Sequence, residues 1–204
     1  MATSPKVYDR AYFDRWYRGR RAVVKPEVVR RKVRLAVAVA ESVLGRELRS
    51  VLDVGCGEAP WRALLRGMRP RLRYVGVDSS EYVVRRYGKR RGIVRGTLAE
   101  LPKAGVRGRF DLVVCADVLE YVPTPELRVG LRHIHDLTRG VAYIEAFPVE
   151  DEMVGDFENW HHRTARTYRQ ELRGAGLVAC GMHCYVPAAA ADTLGALERC
   201  GGDA

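Results

Sequence analysis

Apolar and polar residues alternate along this chain in two patterns, one typical of buried strands and one typical of amphipathic helices. From residue 50 onward, short apolar runs are separated by longer segments with apolar residues at helical spacing. The runs predict six strands, over Ser50–Val54, Leu72–Val77, Gly92–Arg95, Phe110–Cys115, Gly140–Phe147 and Leu177–Val186. The intervening segments predict helices over Pro60–Met68, Glu81–Arg91, Thr124–Leu137 (with Thr124 as its N-cap) and His161–Ala175.

The ends of the chain predict further helices. Residues 8–20 form a short aromatic helix that includes Tyr12. A long helix starts at Pro26, which suits a first turn, and stops near Gly45. After the last predicted strand, Ala188–Cys200 has the composition of an alanine-rich helix.

Strands that alternate with helices indicate an α/β fold, a mostly parallel, doubly wound sheet with helices on both faces. The two N-terminal helices would form a helical cap on this sheet. In such sheets the ligand lies beyond the carboxyl ends of the strands. The loops that follow the strands are therefore where functional residues are expected.

Composition fits a globular protein of one domain. The 204 residues are 47% hydrophobic, which excludes wholesale disorder. No apolar run approaches the roughly 18 residues of a membrane span. Residues 1–5 lack the apolar core of a signal peptide, so a cytoplasmic protein with no membrane partner is expected. Five cysteines are an odd number and too sparse for a disulfide scaffold, so reduced thiols are expected.

The net charge of +10 would attract anionic partners, nucleic acid among them. Basic residues cluster at positions 18–21, 30–34 and 85–91. They are not interleaved with aromatic residues as on an RNA-binding platform. Solvated helix faces therefore explain the charge more simply, and nucleic acid is the less expected partner.

The strongest chemical signal follows the first strand. Gly55 and Gly57 stand between that strand and the helix that begins at Pro60. Glycines let the backbone turn sharply and approach a ligand closely. A dinucleotide fingerprint would have a third glycine at Pro60, and the acids Asp53 and Glu58 disfavour a phosphate and favour a cation.

Two more segments end at the same expected edge of the sheet. Asp78 ends the second strand about 20 residues after the glycines, a spacing at which a carboxylate can bind a ribose diol. The fourth strand, Phe110–Cys115, delivers Ala116 and Asp117 into the same crevice.

Four segments, in this order, resemble the motifs of class I S-adenosylmethionine-dependent methyltransferases. They are the glycine-rich segment Leu52–Gly57, the acidic segment Val77–Asp78, the segment Gly96–Pro102, which is similar to the adenine loop, and Phe110–Val122. The resemblance covers roughly residues 45–180 and implies a Rossmann-like sheet of the class I methyltransferase type. It implies one methyltransferase domain, with a helical cap or lid at 1–45, an α/β core at 46–187, and a C-terminal helix and tail at 188–204.

The resemblance also implies S-adenosylmethionine as cofactor. The residues that it places around the methionine part are Asp53, Gly55, Cys56, Gly57 and Glu58, with Ala116 and Asp117 beside them. It implies ribose binding by Asp78 and Ser79, and adenine binding by Thr97 and Leu98, although the family commonly has an acid where Thr97 stands. Tyr12, in the aromatic helix, would cover the cofactor as part of a lid or pack as a core cap.

The chain departs from the family pattern at two further places. The family often has a histidine where Tyr121 stands in the turn after the fourth strand. The antiparallel seventh strand of the family also has no clear counterpart after Val186 and Pro187.

A hydroxyl or ammonium acceptor must lose a proton, and histidine is the side chain suited to accept it near neutral pH. Of five histidines, only His161 and His162 follow a long loop that leaves a central strand, so they are the candidate catalytic residues, with Tyr121 in reserve. No metal is expected, because in an extended strand Cys180 and Cys184 would face away from His183.

Three functions stay open. The leading hypothesis is methyl transfer from S-adenosylmethionine to a small molecule, because the chain has few additions beyond a catalytic core. The alternative is an RNA or other nucleic-acid methyltransferase, which the positive charge favours. The third is a non-catalytic cofactor-binding protein that keeps the fold. The sequence indicates neither the acceptor atom nor the oligomeric state.

Overall fold

The computed structural model describes residues 6–18, 25–152 and 155–195. Its α-helices are α1 (Arg10–Trp16), α2 (Pro26–Leu44), α3 (Pro60–Met68), α4 (Glu81–Arg91), α5 (Thr124–Leu137) and α6 (Ala165–Gly174). Its strands are β1 (Ser50–Val54), β2 (Arg73–Asp78), β3 (Ile93–Arg95), β4 (Phe110–Ala116), β5 (Thr138–Glu145), β6 (Leu177–Gly181) and β7 (Cys184–Pro187). The last residues of the predicted aromatic helix, 19 and 20, and the end of the predicted alanine-rich helix, 196–200, lie outside the described residues.

The strands form one seven-stranded sheet in the order β3-β2-β1-β4-β5-β7-β6. The strands from β3 to β5 in this order are parallel, and β7 is antiparallel to both of its neighbours. Asp53 of β1 lies opposite Gly76 of β2 and Val114 of β4. This register brings the carboxyl ends of the three strands to one edge and confirms the predicted mostly parallel α/β sheet.

The predicted sixth strand, Leu177–Val186, is wrong as a single element. It is a hairpin of β6 and β7, with Met182 and His183 in the turn at φ values of +51° and +65°. Gly181, at a φ of +88° directly before them, was the available sign of the turn, but Met182 and His183 are not glycines and gave no further sign of it. The seventh strand, which has no clear counterpart in the sequence pattern, is therefore β7.

Helices cover both faces of the sheet, as predicted. Successive residues of a strand point to opposite faces, and the core divides accordingly. Val51 and Leu112 pack with α2, α3 and α4 on one face. Leu52 and Val113 pack with α5 and α6 on the other.

Several helix ends agree with the sequence. Pro26 lies in the first turn of α2, and Gly45 ends that helix at a φ of +63°.

The aromatic helix is shorter than predicted and starts at Arg10, because the Asp9 carboxylate accepts a hydrogen bond from the Tyr12 amide at 2.9 Å.

Other ends differ. Thr124 is the first residue of α5 rather than its N-cap, which is Pro123, and the Thr124 hydroxyl accepts a hydrogen bond from Arg163 instead. The sixth helix begins at Ala165 and not at His161, because the Thr164 hydroxyl caps it. β5 begins and ends two residues earlier than predicted, and Ala188–Thr193 is a 3-10 helix rather than an α-helix.

Within the described ranges, no helix combines the length and the apolar character needed to cross a membrane. Among the described cysteines, Cys56, Cys115 and Cys184 are free thiols.

Candidate active site

A cavity of about 760 Å³ lies at the carboxyl ends of β1, β2 and β4. Its walls come from the loops after these strands, from the turn after β3, and from α1 and α2. This volume is in the range of sites that enclose small-molecule ligands. Among the predicted cofactor residues, every one lines this cavity: Tyr12, Asp53, Gly55, Cys56, Gly57, Glu58, Asp78, Ser79, Thr97, Leu98, Ala116 and Asp117.

The glycine turn after β1 is tightly packed. Gly55 and Gly57 have φ values of +68° and +51°. The amides of Gly55 and Cys56 both donate to the Val77 carbonyl, at 2.8 and 3.1 Å. A Cβ on Gly55 would lie 2.2 Å from Cγ2 of Val118, so the main chain approaches that side chain as closely as only glycine allows.

Asp78 connects the glycine turn to the start of α4. Its carboxylate accepts one hydrogen bond from the Gly57 amide at 2.7 Å and another from the Ser80 amide at 2.8 Å. The side chain is buried, and burial raises its pKa although both amides oppose the shift. The position of the Asp78 carboxylate is therefore set by the backbone before any ligand binds.

Asp53 lies deeper in the same wall. It is 3% exposed and accepts a hydrogen bond from the Tyr74 hydroxyl at 2.7 Å. Burial raises the pKa of Asp53 to about 7. The hydrogen bond from Tyr74 lowers this pKa, and the nearby charge of Asp78 raises it. Asp53 thus changes its charge near neutral pH while it contacts the cavity.

Asp117 follows β4 with a φ of +59°, a strained angle for this residue. Its Oδ1 atom is buried and has no hydrogen-bond partner among the described residues. Burial, reinforced by the Glu145 charge and opposed by Lys32, raises the pKa of Asp117 to about 6. A buried carboxylate with a free oxygen at the cavity wall is suited to accept a hydrogen bond from a ligand.

The remaining predicted residues occupy different walls. Thr97 and Leu98 follow β3, and the Thr97 hydroxyl donates to Glu100 at 3.2 Å. The Glu58 carboxylate forms an ion pair with Arg18, while its carbonyl accepts a hydrogen bond from Arg91. Glu58 therefore ties the N-terminal segment to the cavity rim.

The N-terminal segment, residues 6–18, covers one side of the cavity. Phe13 is 5% exposed and packs in the hydrophobic core, while Tyr8, Tyr12 and Tyr17 line the cavity. The Ser80 hydroxyl also donates to the Tyr8 carbonyl. One segment thus provides both a core cap, through Phe13, and a cavity wall, through its tyrosines.

Tyr121 also lines the cavity, but His161 and His162 do not. Both histidines are exposed; the His161 amide donates to the Glu120 carbonyl at 2.7 Å, and the His162 ring stacks on Trp160. Their predicted catalytic role remains a prediction that the position of the cavity does not support. Over the described residues, no cluster of three or more potential ligands is arranged to hold a metal.

Two residues that the sequence reasoning did not single out shape the site. Lys32 lines the cavity and pairs with the buried Glu145. It stands three residues after Val29 and four before Ala36, so a lysine within the apolar stripe of α2 was the available signal. Arg163 is 6% exposed and donates to the Leu119 carbonyl at 2.9 Å, which fixes the turn that carries Tyr121; no sequence pattern marks it.

The sheet order and the crevice beyond β1, β2 and β4 define the class of fold, a Rossmann-like sheet with a cavity at its switch point, where sheets of this kind bind their ligands. A family model described as a methyltransferase domain matches residues 25–180. The chain belongs to this family, and it is a class I S-adenosylmethionine-dependent methyltransferase.

Several solved structures are similar to this chain in fold. An S-adenosylmethionine-dependent methyltransferase from Archaeoglobus fulgidus is 17% identical, with 82% of this chain and 73% of that chain covered and a TM-score of 0.62. Magnesium protoporphyrin IX methyltransferase from Synechocystis PCC 6803, solved with bound S-adenosylhomocysteine, is 20% identical, with 84% and 87% covered and a TM-score of 0.61. DesVI of Streptomyces venezuelae is 15% identical, with 78% and 92% covered and a TM-score of 0.58. No curated protein sequence matches the chain significantly.

Proposed function

We propose that this methyltransferase transfers its methyl group to a small-molecule acceptor. The observation that carries the proposal is the continuous cavity of about 760 Å³ that runs from the glycine turn to the tyrosines of the N-terminal segment. Such a space accommodates a nucleoside cofactor together with a small acceptor. The similar magnesium protoporphyrin IX methyltransferase is named for an acceptor of this class.

The cavity walls fit S-adenosylmethionine, which supplies a methyl group on a positively charged sulfur. Gly55 lets the main chain lie close against Val118, and Asp78, whose carboxylate is held by the Gly57 amide, would accept hydrogen bonds from the ribose hydroxyls. Thr97 and Leu98 would contact the adenine. Asp117, whose Oδ1 has no partner among the described residues, would accept a hydrogen bond from the ammonium of the methionine part.

Positioning supplies much of the rate of a methyl transfer, because the carbon is already activated. The tyrosines of the N-terminal segment and Val118 would exclude water from the reacting atoms. Tyr121 lines the acceptor side of the cavity, where its hydroxyl donates to the Asp156 carbonyl at 2.8 Å. We propose that it orients the acceptor.

Calorimetric titration with S-adenosylhomocysteine tests the cofactor part. We expect Asp78→Ala to weaken binding by about 1–3 kcal/mol through lost charge-assisted hydrogen bonds. Asp136→Ala, which removes a carboxylate 71% exposed on α5, is the matched control and should bind like the parent. Equal affinity of both variants would exclude Asp78 from the ribose site. A screen of small acceptors with labelled methyl donor then tests the acceptor class, and binding without any turnover would support a non-catalytic protein.

A second cavity favours the nucleic-acid alternative. Arg10, Arg18, Arg85 and Arg86 line it together with Tyr82, Tyr87 and Glu58, whose carboxylate pairs with Arg18. Arginines with tyrosines provide phosphate contacts and stacking faces for single-stranded RNA. Titration of mixed RNA at several salt concentrations separates the proposals, because a steep loss of affinity with salt that disappears in Arg85→Glu would favour an RNA acceptor.

A further inference from the structure

The ammonium of Lys6 lies among three tyrosine rings. The distances from Nζ to the ring centroids are 5.3 Å for Tyr8, 5.4 Å for Tyr12 and 4.2 Å for Tyr121. The Lys6 side chain is only 5% exposed and forms an ion pair with Asp156. We call Tyr8, Tyr12, Tyr121 and Asp156 the tyrosine cage.

The cage is built for a cation. An ammonium within about 6 Å of an aromatic face is attracted by the negative face of the ring, and the attraction grows when water is excluded. Asp156 adds a carboxylate that is 11% exposed. Burial raises the pKa of all three phenols, so the rings stay neutral and keep their faces available.

The members of the cage also hold one another in place. The rings of Tyr8 and Tyr12 meet edge to face, with centroids 5.0 Å apart. The Tyr121 hydroxyl donates to the Asp156 carbonyl at 2.8 Å, which joins the turn after β4 to the loop before α6. The geometry of the cage is therefore set by groups other than Lys6.

The cage is part of the cavity wall. Tyr8, Tyr12 and Tyr121 line the same cavity as Gly55 and Asp117. The three rings therefore place the cage beside the space that we assign to the cofactor, while Lys6 and Asp156 stand outside the cavity lining.

The polar and aromatic contacts of Lys6 are made by its ammonium. Besides the ion pair and the rings, its ammonium donates to the Glu158 carbonyl at 3.2 Å. The next residue, Val7, is 70% exposed, and residues 6–9 form no regular structure. Another ammonium could make the same contacts in place of the Lys6 ammonium.

We propose that the tyrosine cage binds an alkylammonium group of the methyl acceptor, and that Lys6 occupies the cage until the acceptor displaces it. The acceptor is therefore a small molecule that carries a cationic amine as an anchoring group. This inference rests on the proposed small-molecule function.

The test uses n-butylammonium as probe, because it reproduces the end of a lysine side chain, and 1-butanol as its neutral counterpart. Binding to the full chain is followed by ligand-detected NMR and by tryptophan fluorescence, since the ring of Trp160 lies 6.4 Å from that of Tyr121. Lys6→Met keeps most of the side chain and removes the charge. Lys103→Met, at a lysine 80% exposed, is the matched control.

We expect Lys6→Met to bind n-butylammonium at least about tenfold more tightly than the parent or Lys103→Met, with no gain for 1-butanol. In the Lys6→Met background, Asp156→Asn or Tyr121→Leu should each lose about tenfold. Two second-site variants are used so that a folding defect in one leaves the other to decide.

Equal affinity of the parent and Lys6→Met for n-butylammonium would overturn the proposal. So would a gain in this affinity that persists in both second-site variants. Lys6 would then be a fixed structural contact of the tyrosine cage. S-adenosylhomocysteine binding is measured on the same samples. If the cofactor product binds and n-butylammonium does not, the cage proposal alone fails. If neither binds, the cofactor assignment of the cavity fails as well.

Discussion

Gly55 offers a sharp test of the glycine turn. Its φ is +68°, and a Cβ added there would lie 2.2 Å from Cγ2 of Val118. Gly55→Ala therefore combines a backbone cost with a steric one. Gly45 at the end of α2 has almost the same φ, +63°, and a Cβ added there would meet nothing within 4 Å, so Gly45→Ala carries the backbone cost alone.

The two costs have different magnitudes. A left-handed backbone costs a residue other than glycine about 1–2 kcal/mol. The clash at Gly55 forces Val118 or the turn to move, and overpacking of this kind costs about 1–3 kcal/mol. We expect the free energy of unfolding to fall by about 1–2 kcal/mol in Gly45→Ala and by about 2–5 kcal/mol in Gly55→Ala.

Urea unfolding measures these changes, and calorimetry measures S-adenosylhomocysteine affinity on the same proteins. Gly55→Ala should weaken binding at least about tenfold, because the turn that lines the cavity shifts, whereas Gly45→Ala should bind normally. Val118→Ala removes the clashing Cγ2 atom and leaves only its Cβ, at 3.4 Å. In that background, Gly55→Ala should cost no more stability than Gly45→Ala.

Equal destabilisation by Gly45→Ala and Gly55→Ala in the parent background would refute the reasoning, because Val118 would then move aside freely. Normal cofactor-product affinity of Gly55→Ala would remove the turn from the binding site.

Three further predictions concern buried groups. Burial raises the pKa of Glu120 to about 8, so the folded protein keeps a proton that the unfolded chain releases near 4.5. The contribution of Glu120 to the free energy of unfolding should therefore fall as pH rises from 4.5 to about 8, and Glu120→Gln should reduce the slope seen in urea titrations by at most about 1.4 kcal/mol per pH unit. The raised pKa values of Asp53 and Asp117 maintain the rest of the slope. Asp111 is fully buried and paired with Arg46 and Arg139, which help lower its pKa to about 2. The ionised carboxylate therefore stabilises the folded protein fully above pH 3.8, and this stabilisation is lost as the pH falls through about 2. Asp111→Ala should cost about 3 kcal/mol at pH 7 by thermal or urea unfolding. Gly130→Ala places a Cβ 2.2 Å from Cγ of Leu98, and we expect weaker S-adenosylhomocysteine binding by calorimetry because the turn after β3 is displaced.

Each of these predictions has a control. Glu47→Gln, at an exposed side chain, should leave the pH slope unchanged, and a slope in Glu120→Gln equal to that of the parent would contradict the prediction for Glu120. Asp136→Ala should leave the free energy of unfolding nearly unchanged. An equally small effect of Asp111→Ala would contradict the prediction for Asp111. Leu98→Ala should relieve the clash in Gly130→Ala; if Gly130→Ala alone binds normally, the third is wrong.

Much of the cavity could be predicted from the sequence because its signals are local. Gly55 and Gly57 follow a buried strand directly, and Asp78 ends the next one. Carboxyl ends of parallel strands share one edge, so such residues meet once the sheet is parallel. Ala116 and Asp117 stand at the end of β4, which is parallel to β1, so they were expected beside Gly55, Gly57 and Asp78 for the same reason.

Other features depended on angles and contacts that no local pattern encodes. The β6–β7 hairpin turns at Met182 and His183, neither of which is a typical left-handed residue. His161 and His162 follow the loop after β5, as the sequence suggested, but that loop packs so that they lie outside the cavity wall.

The sequence by itself determined the parallel part of the sheet, most of its helices and which residues stand at the ends of β1, β2 and β4, because periodicity and turn residues act over a few positions. Only the tertiary structure decided what meets across the chain. Lys6 lies among tyrosines that include Tyr121, and it donates to the Glu158 carbonyl 152 positions away. Contacts between such distant segments form only when the whole core has packed, so no pattern within either segment predicts them.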